Sequence, residues 1–193
     1  HDPNRTSIAT VIGACLWIPR TLWHELGGFP EWMESIGEDM YLCCISRFQG
    51  YPIEVTPSSG YLHWQGMSFS GNRIKQTRLV STYRRRLLSE RNKSVIMFLT
   101  FPVWLLLFFF PLHIIFLMIE GALLSLLNYD HRIILNIYLL LPKAFLKNCK
   151  MIFYLRKNIQ NKRIINFFEY LSVFKFFPWK LILLIRFGYP KII

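Results

Sequence analysis

Three residues stand at a spacing that suits group-transfer chemistry. Glu38 and Asp39 form an acidic pair directly after Gly37, and His63 follows Asp39 by 24 positions. A carboxylate at the start of a helix can take a proton from an acceptor hydroxyl. The same carboxylate can instead do no more than complement the helix dipole, worth about 0.3–1 kcal/mol. His63, beside Tyr61 and Trp64, reads either as a packed side chain or, through a neutral ring nitrogen, as a metal ligand. One imidazole does not hold a divalent ion, so the other ligands would be carboxylates and the phosphates of a nucleotide. Cys15, Cys43, Cys44 and Cys149 include no C-x-x-C. Their spacing argues against a disulfide framework or a zinc site and reads as reduced thiols used as small apolar residues.

The elements that must position these groups read as α/β. Ser7 to Pro19 is β-rich and predicts a buried strand, with Gly13-Ala14 where something approaches the backbone closely. Pro19 to Leu26 predicts a helical turn or two, and Gly27-Gly28-Phe29-Pro30 a loop. The helix opened by Glu38-Asp39 should end at Gly50, with Met40, Cys43, Cys44 and Phe48 sharing a face. Tyr51 to Thr56 and Tyr61 to Trp64 predict short strands. Asn72 to Asn92 predicts a helix with a Val80, Tyr83, Leu87 stripe, and the stretch 121–190 predicts amphipathic helices broken at Pro142 and Pro178.

Charge divides the chain. Residues 1–70 hold three Lys/Arg and seven Asp/Glu, whereas residues 71–193 hold twenty and four. The basic residues of the second part are interleaved with Leu, Ile and Phe. That composition fits an anionic membrane face and argues against nucleic acid, for which no motif is present. Ser94 to Ile119 carries no formal charge over 26 residues, long enough at about 1.5 Å per residue to cross a hydrocarbon core. Pro102, Pro111 and His113 interrupt it, so two half-helices in one leaflet are an alternative to a span. Arg84, Arg85, Arg86, Arg91 and Lys93 before the run place the head in the cytoplasm by the positive-inside rule. The basic tail from Lys143 to Arg163 favours the same side, which calls for a re-entrant or surface-lying segment.

Five pieces in order carry a resemblance: G-A-C-L-W-I-P-R at 13–20, G-G-F at 27–29, E-D-x-x-L-C at 38–43, G-Y-P-I at 50–53 and H-W-Q-G-x-S at 63–68. Together they resemble the C-terminal half of a family-2 glycosyltransferase domain with the Rossmann-like GT-A fold, in the bacterial rhamnosyltransferase-like branch. The basic tail, with D-H-R at 130–132 and R-K-N-I-Q-N-K-R at 156–163, resembles the helical extension of that branch.

The resemblance implies a nucleotide-sugar donor, a glycan or lipid-linked acceptor, and inverting transfer for a cell-envelope polysaccharide. Asp39 matches the base that deprotonates the acceptor hydroxyl, and Glu38 its acidic neighbour. His63 matches a ligand of Mg²⁺ or Mn²⁺. Gly13, Ala14, Gly27, Gly28 and Phe29 match the acceptor-side wall, and Trp17, Trp23 and Trp64 could stack on a sugar or lipid-linked acceptor, with buried packing the alternative for at least two of them. Many relatives read E-D-x-D where this chain has Tyr41, and no D-x-D occurs.

The expected organisation is a partial catalytic domain at 1–92, a hydrophobic segment at 93–120 and a basic helical tail at 121–193. The enzyme is expected at the bacterial inner membrane with its catalytic part facing the cytoplasm. Without the nucleotide-binding half, these 193 residues are expected to be inactive alone. The competing reading is a non-catalytic module whose basic helices grip anionic lipid.

Overall fold

The computed structural model describes residues 7–55, 73–75, 78–174 and 179–193. The fold is mostly helical, with one small sheet and one apolar helix. In chain order the elements are α1 (Arg20–Leu26), α2 (Glu38–Phe48), β1 (Arg73–Lys75), β2 (Arg78–Ser81), α3 (Tyr83–Thr100) and α4 (Val103–Leu127). They continue with α5 (Leu140–Lys147), α6 (Cys149–Asn161), α7 (Phe167–Leu171), α8 (Trp179–Phe187) and β3 (Lys191–Ile192). Two compact units divide the chain. The first takes residues 1–63, 92–102 and 150–174, and the second takes 64–91, 103–149 and 175–193.

In the first unit α2 is the central helix. Gly37 precedes it at φ 99° and Gly50 follows it at φ 80°, backbone that glycine adopts without strain. The expected one-sided apolar face is not what forms, because every residue from Tyr41 to Gln49 is buried. Phe48 meets Tyr170 of α7 edge to face at 4.6 Å, and its carbonyl accepts from Ile164 N at 2.8 Å. The last turns of α3 are held by α6. Arg156 donates to the carbonyls of Phe98 and Phe101, and Gln160 to that of Leu99. These bonds satisfy carbonyls that the end of a helix leaves without partners.

Two expected strands are corrected. Between Ser7 and Pro19 the only ladder contact among the described residues is an isolated bridge from Ser7 to Glu54, with Ile8 N donating to the Ile53 carbonyl at 3.0 Å. The chain turns at Gly13-Ala14, closed by Cys15 N on the Ile12 carbonyl at 3.2 Å, and a turn ends strand pairing. The same bridge is all the ladder that Tyr51 to Val55 makes there. The expected strand at Tyr61 to Trp64 lies outside the described residues.

A third correction falls in the second unit. The expected helix over 72–92 begins only at Tyr83. Before it, β1 and β2 pair antiparallel, Ile74 opposite Leu79, and β3 adds in parallel beside β2, Val80 opposite Lys191. Ile192 of β3 joins Leu117, Leu124, Ile133, Ile137, Tyr138 and Leu141 in the core, with Tyr83 and Leu87 packed against it. The long-range pairing to β3 outweighs the helical spacing of Val80, Tyr83 and Leu87: Val80 is buried in β2, while Tyr83 and Leu87 pack against that core from α3.

Prolines act differently from one another. Pro102 separates α3 from α4 and so divides the uncharged run. Its first seven residues belong to α3, where all but Met97 are buried. Pro111 lies inside α4. Pro142 does not break the chain of helices but sits in the first turn of α5, after a π-helical turn at Ile134–Tyr138 whose closing bond runs from Leu139 N to Ile134 O at 2.9 Å. An α-helical approach would drive the Pro142 ring against the Tyr138 carbonyl, and the wider turn relieves that clash. Pro178 lies outside the described residues. Within the second unit Gly121 lets α4 sit on that turn, since a Cβ there would meet the Tyr138 ring at 2.5 Å.

Candidate active site

The acidic pair is presented by a strained loop. A short 3₁₀ turn, Glu31–Met33, leads into Glu34 at φ 62°, Ile36 at φ 67° and Gly37 at φ 99°. A β-branched residue with positive φ is a rare outlier, costing about 1–3 kcal/mol, and it persists only where its surroundings enforce it. Asn92 supplies the enforcement. Its side-chain amide is fully buried and donates to the carbonyls of Met33 at 3.0 Å, Ser35 at 3.0 Å and Ile36 at 2.8 Å. Sequence spacing carries no sign of this clamp, because its partners lie 56 to 59 positions away.

The loop delivers Asp39 to the turn at Gly13. Gly13 N donates to Asp39 Oδ2 at 3.1 Å, and Met40 N donates to Oδ1 at 2.7 Å. A Cβ on Gly13 would lie 3.4 Å from Asp39 Cβ and 3.5 Å from Phe29 Cζ, so Gly13, Phe29 and Asp39 meet at one point. Each carboxylate oxygen keeps a lone pair beyond its backbone bond, so the group is oriented yet can still accept from a hydroxyl. Glu38 beside it has a buried Oε2 with no hydrogen-bond partner among the described residues. Such an atom carries a desolvation cost that a donor would relieve.

The other expected site residues distribute as follows. Ala14 lies exposed in the same turn as Gly13, and Trp17 is 86 % exposed. Gly27 ends α1 in the left-handed region, and Gly28, also at positive φ, packs where a Cβ would meet the Trp23 ring at 2.7 Å. Their geometry serves the α1 cap and the seating of Trp23, whose ring meets Phe29 edge to face at 5.1 Å. His63 and Trp64 lie outside the described residues. Among the described residues no group of three His, Cys, Asp or Glu side chains gathers as a metal site.

Deeper in the first unit, Cys43 and Cys44 are free and buried. Burial pushes the Cys44 thiol up to about 12. Arg47 lies over the rings of Tyr170 and Phe174 and donates to the Glu169 carbonyl at 3.3 Å, with its guanidinium pKa lowered by burial. These groups tie α2 to α7.

Compared with known proteins, the chain matches no family model, no curated protein and no solved structure.

Proposed function

We propose that the chain is the acceptor-side part of a membrane-associated, inverting glycosyltransferase with a GT-A-type catalytic domain, and that Asp39 is its base. The observation that carries the reading is the meeting of Gly13, Phe29 and Asp39. These residues come from three separate pieces of the resemblance and converge on one carboxylate. In the proposed reaction the acceptor hydroxyl gives its proton to Asp39. The acceptor oxygen forms a bond to the anomeric carbon of the nucleotide-sugar, and the bond from that carbon to the nucleotide diphosphate breaks on the opposite face. The nucleotide diphosphate leaves with the electron pair. Glu38 accepts from a second acceptor hydroxyl and fixes its orientation. His63 and a divalent metal belong to the same proposal on the donor side, as do an envelope polysaccharide product and a site at the bacterial inner membrane.

A second reading, the non-catalytic membrane module, is favoured by a separate observation: the apolar face that α4 exposes. Asp39→Asn, made in the complete reading frame, separates the two. Lost transfer with retained membrane binding supports the enzyme, and unchanged behaviour supports the module.

A further inference from the structure

Helix α4 is apolar almost all round and leaves one of its faces uncovered. Trp104, Leu107, Phe108, Ile115, Ile119, Leu123 and Leu126 recur at helical spacing, and each is 50–75 % exposed. Leu106, Leu117, Gly121 and Leu124 on the opposite face are buried, and the helix's two polar titratable residues, His113 and Glu120, lie on that inward side. An apolar stripe of this length exposed over 25 residues marks an interaction surface. By length and composition alone, α4 could cross a membrane.

The inward side decides between crossing and lying flat. Glu120 pairs with Arg86 of α3 and, at 2.9 Å, with Lys180 of α8. Lys180 also reaches Glu90 at 2.8 Å, and Glu90 is 2 % exposed. His113, two turns before Glu120, feels the charges of Glu90, Lys180 and Glu120. The ionic cluster therefore flanks α4 from His113 to Glu120, about 15–26 Å from its first residue at ~1.5 Å per residue. Were α4 to span, this depth would also have to hold the first turns of α3, which carry Arg84, Arg85 and Arg91 besides the paired residues. Ionised side chains at that depth are costly and need partners or water.

Charge identifies the surface that α4 faces. The second unit holds three acidic residues, Glu90, Glu120 and Asp130. All are engaged internally, Asp130 by Arg132 and the Tyr83 hydroxyl. Lys143, Lys147, Arg186 and Lys191 of the same unit stand exposed. A cationic surplus in the unit that carries an exposed apolar stripe is the chemistry of an anionic lipid interface.

We propose that α4 lies in one leaflet of an anionic bilayer, seated by its exposed stripe, with the chain before and after it on the same side. The inference rests on the membrane association proposed above and gives it a form. It does not depend on the catalytic assignment.

The test adds the purified chain to preformed sealed vesicles containing phosphatidylglycerol. A membrane-impermeant maleimide is then applied to native Cys15 and to Tyr129→Cys, a site 98 % exposed just past α4, in a Cys149→Ser background. Equal labelling of both sites, with no increase on adding detergent, is expected. Protection of Tyr129→Cys until detergent is added overturns the proposal in favour of a span, and failure to bind the vesicles overturns membrane association itself. Nitroxide labels at Leu107→Cys, Ile115→Cys and Leu126→Cys, all on the exposed stripe, give a second reading. One shared shallow depth is expected, whereas a deep maximum at Ile115 overturns the proposal. Neutral vesicles should bind at least tenfold more weakly, and transfer activity is not involved in any arm.

Discussion

Gly13 and Asp39, 26 positions apart, are joined by a hydrogen bond from the Gly13 backbone N–H to Oδ2 of Asp39 at 3.1 Å. That bond fixes the direction of the carboxylate and fastens the turn at 13–14 to the start of α2. Asp39→Ala removes the side-chain acceptors of the Gly13 and Met40 N–H groups and the negative charge from the helix N-terminus. Asp39→Asn keeps one amide oxygen to accept. In urea denaturation the alanine variant is expected to be less stable than the asparagine variant by about 1–2 kcal/mol. Equal stabilities would mean that the bond contributes nothing.

Asn92 is the residue on which the loop before α2 depends. Asn92→Ala removes the amide that donates to three carbonyls, of which that of Met33 keeps the Ser35 N–H, and opens a small cavity at a fully buried position. The expected loss is about 2–4 kcal/mol by denaturant titration, with faster hydrogen exchange in the first turn of α2. Wild-type exchange in that turn would show the loop holding itself.

Glycines separate the site from its scaffold. Gly13→Ala introduces a Cβ at 3.4 Å from Asp39 Cβ, an ordinary contact, and is expected to change stability by less than about 1 kcal/mol. Gly28→Ala and Gly121→Ala place a methyl at 2.7 Å and 2.5 Å from the rings of Trp23 and Tyr138, and Gly28 also sits at positive φ. Each should cost about 1–3 kcal/mol or more, read as a fall in Tm. A Gly13→Ala loss as large as the other two would contradict the open geometry of the turn.

Thiol chemistry reports on α2. Cys15 is exposed, whereas Cys43 and Cys44 are buried and the Cys44 thiol is pushed up to about 12 from an ordinary 9.0. A raised thiol pKa means that folding favours the neutral form. The stability it contributes is full below about pH 9 and is lost as pH rises from there towards 12. Ellman titration of the Cys149→Ser variant at pH 8 should therefore count one fast thiol in the native state and three after unfolding. Fast reaction of Cys43 or Cys44 in the folded protein would contradict the packing of α2 against α7.

Local signals in the sequence were faithful where the chain's own chemistry decides the structure. The α2 boundaries follow from Gly37 and Gly50, and the helical turns before Gly27-Gly28 follow from the capping rule, so both were legible. The meeting of Gly13, Phe29 and Asp39 was not legible from spacing, because no periodicity links a turn, a loop and a helix start. The strands read into 7–19 and, over its described residues, 51–55 did not form beyond one bridge, because β-rich composition specifies a strand only when a partner strand is present. The helical reading gave way to strands at 73–75 and 78–81 because β3 arrives from more than a hundred residues away. The Asn92 clamp and the Arg86, Glu90, Glu120, Lys180 cluster depend on distant partners in the same way. An asparagine or a glutamate inside a helix does not announce what lies across from it.

The central claim is that the Asp39 carboxylate accepts the acceptor's proton during sugar transfer. Its most direct test is transfer from a nucleotide-sugar by membranes containing the complete reading frame, wild type against Asp39→Asn, with membrane binding and circular dichroism measured on the same samples. Loss of a general base predicts a fall of about 10²–10⁴-fold in transfer with binding and fold retained. Transfer by Asp39→Asn at the wild-type rate, in membranes where the wild type is active, would contradict it.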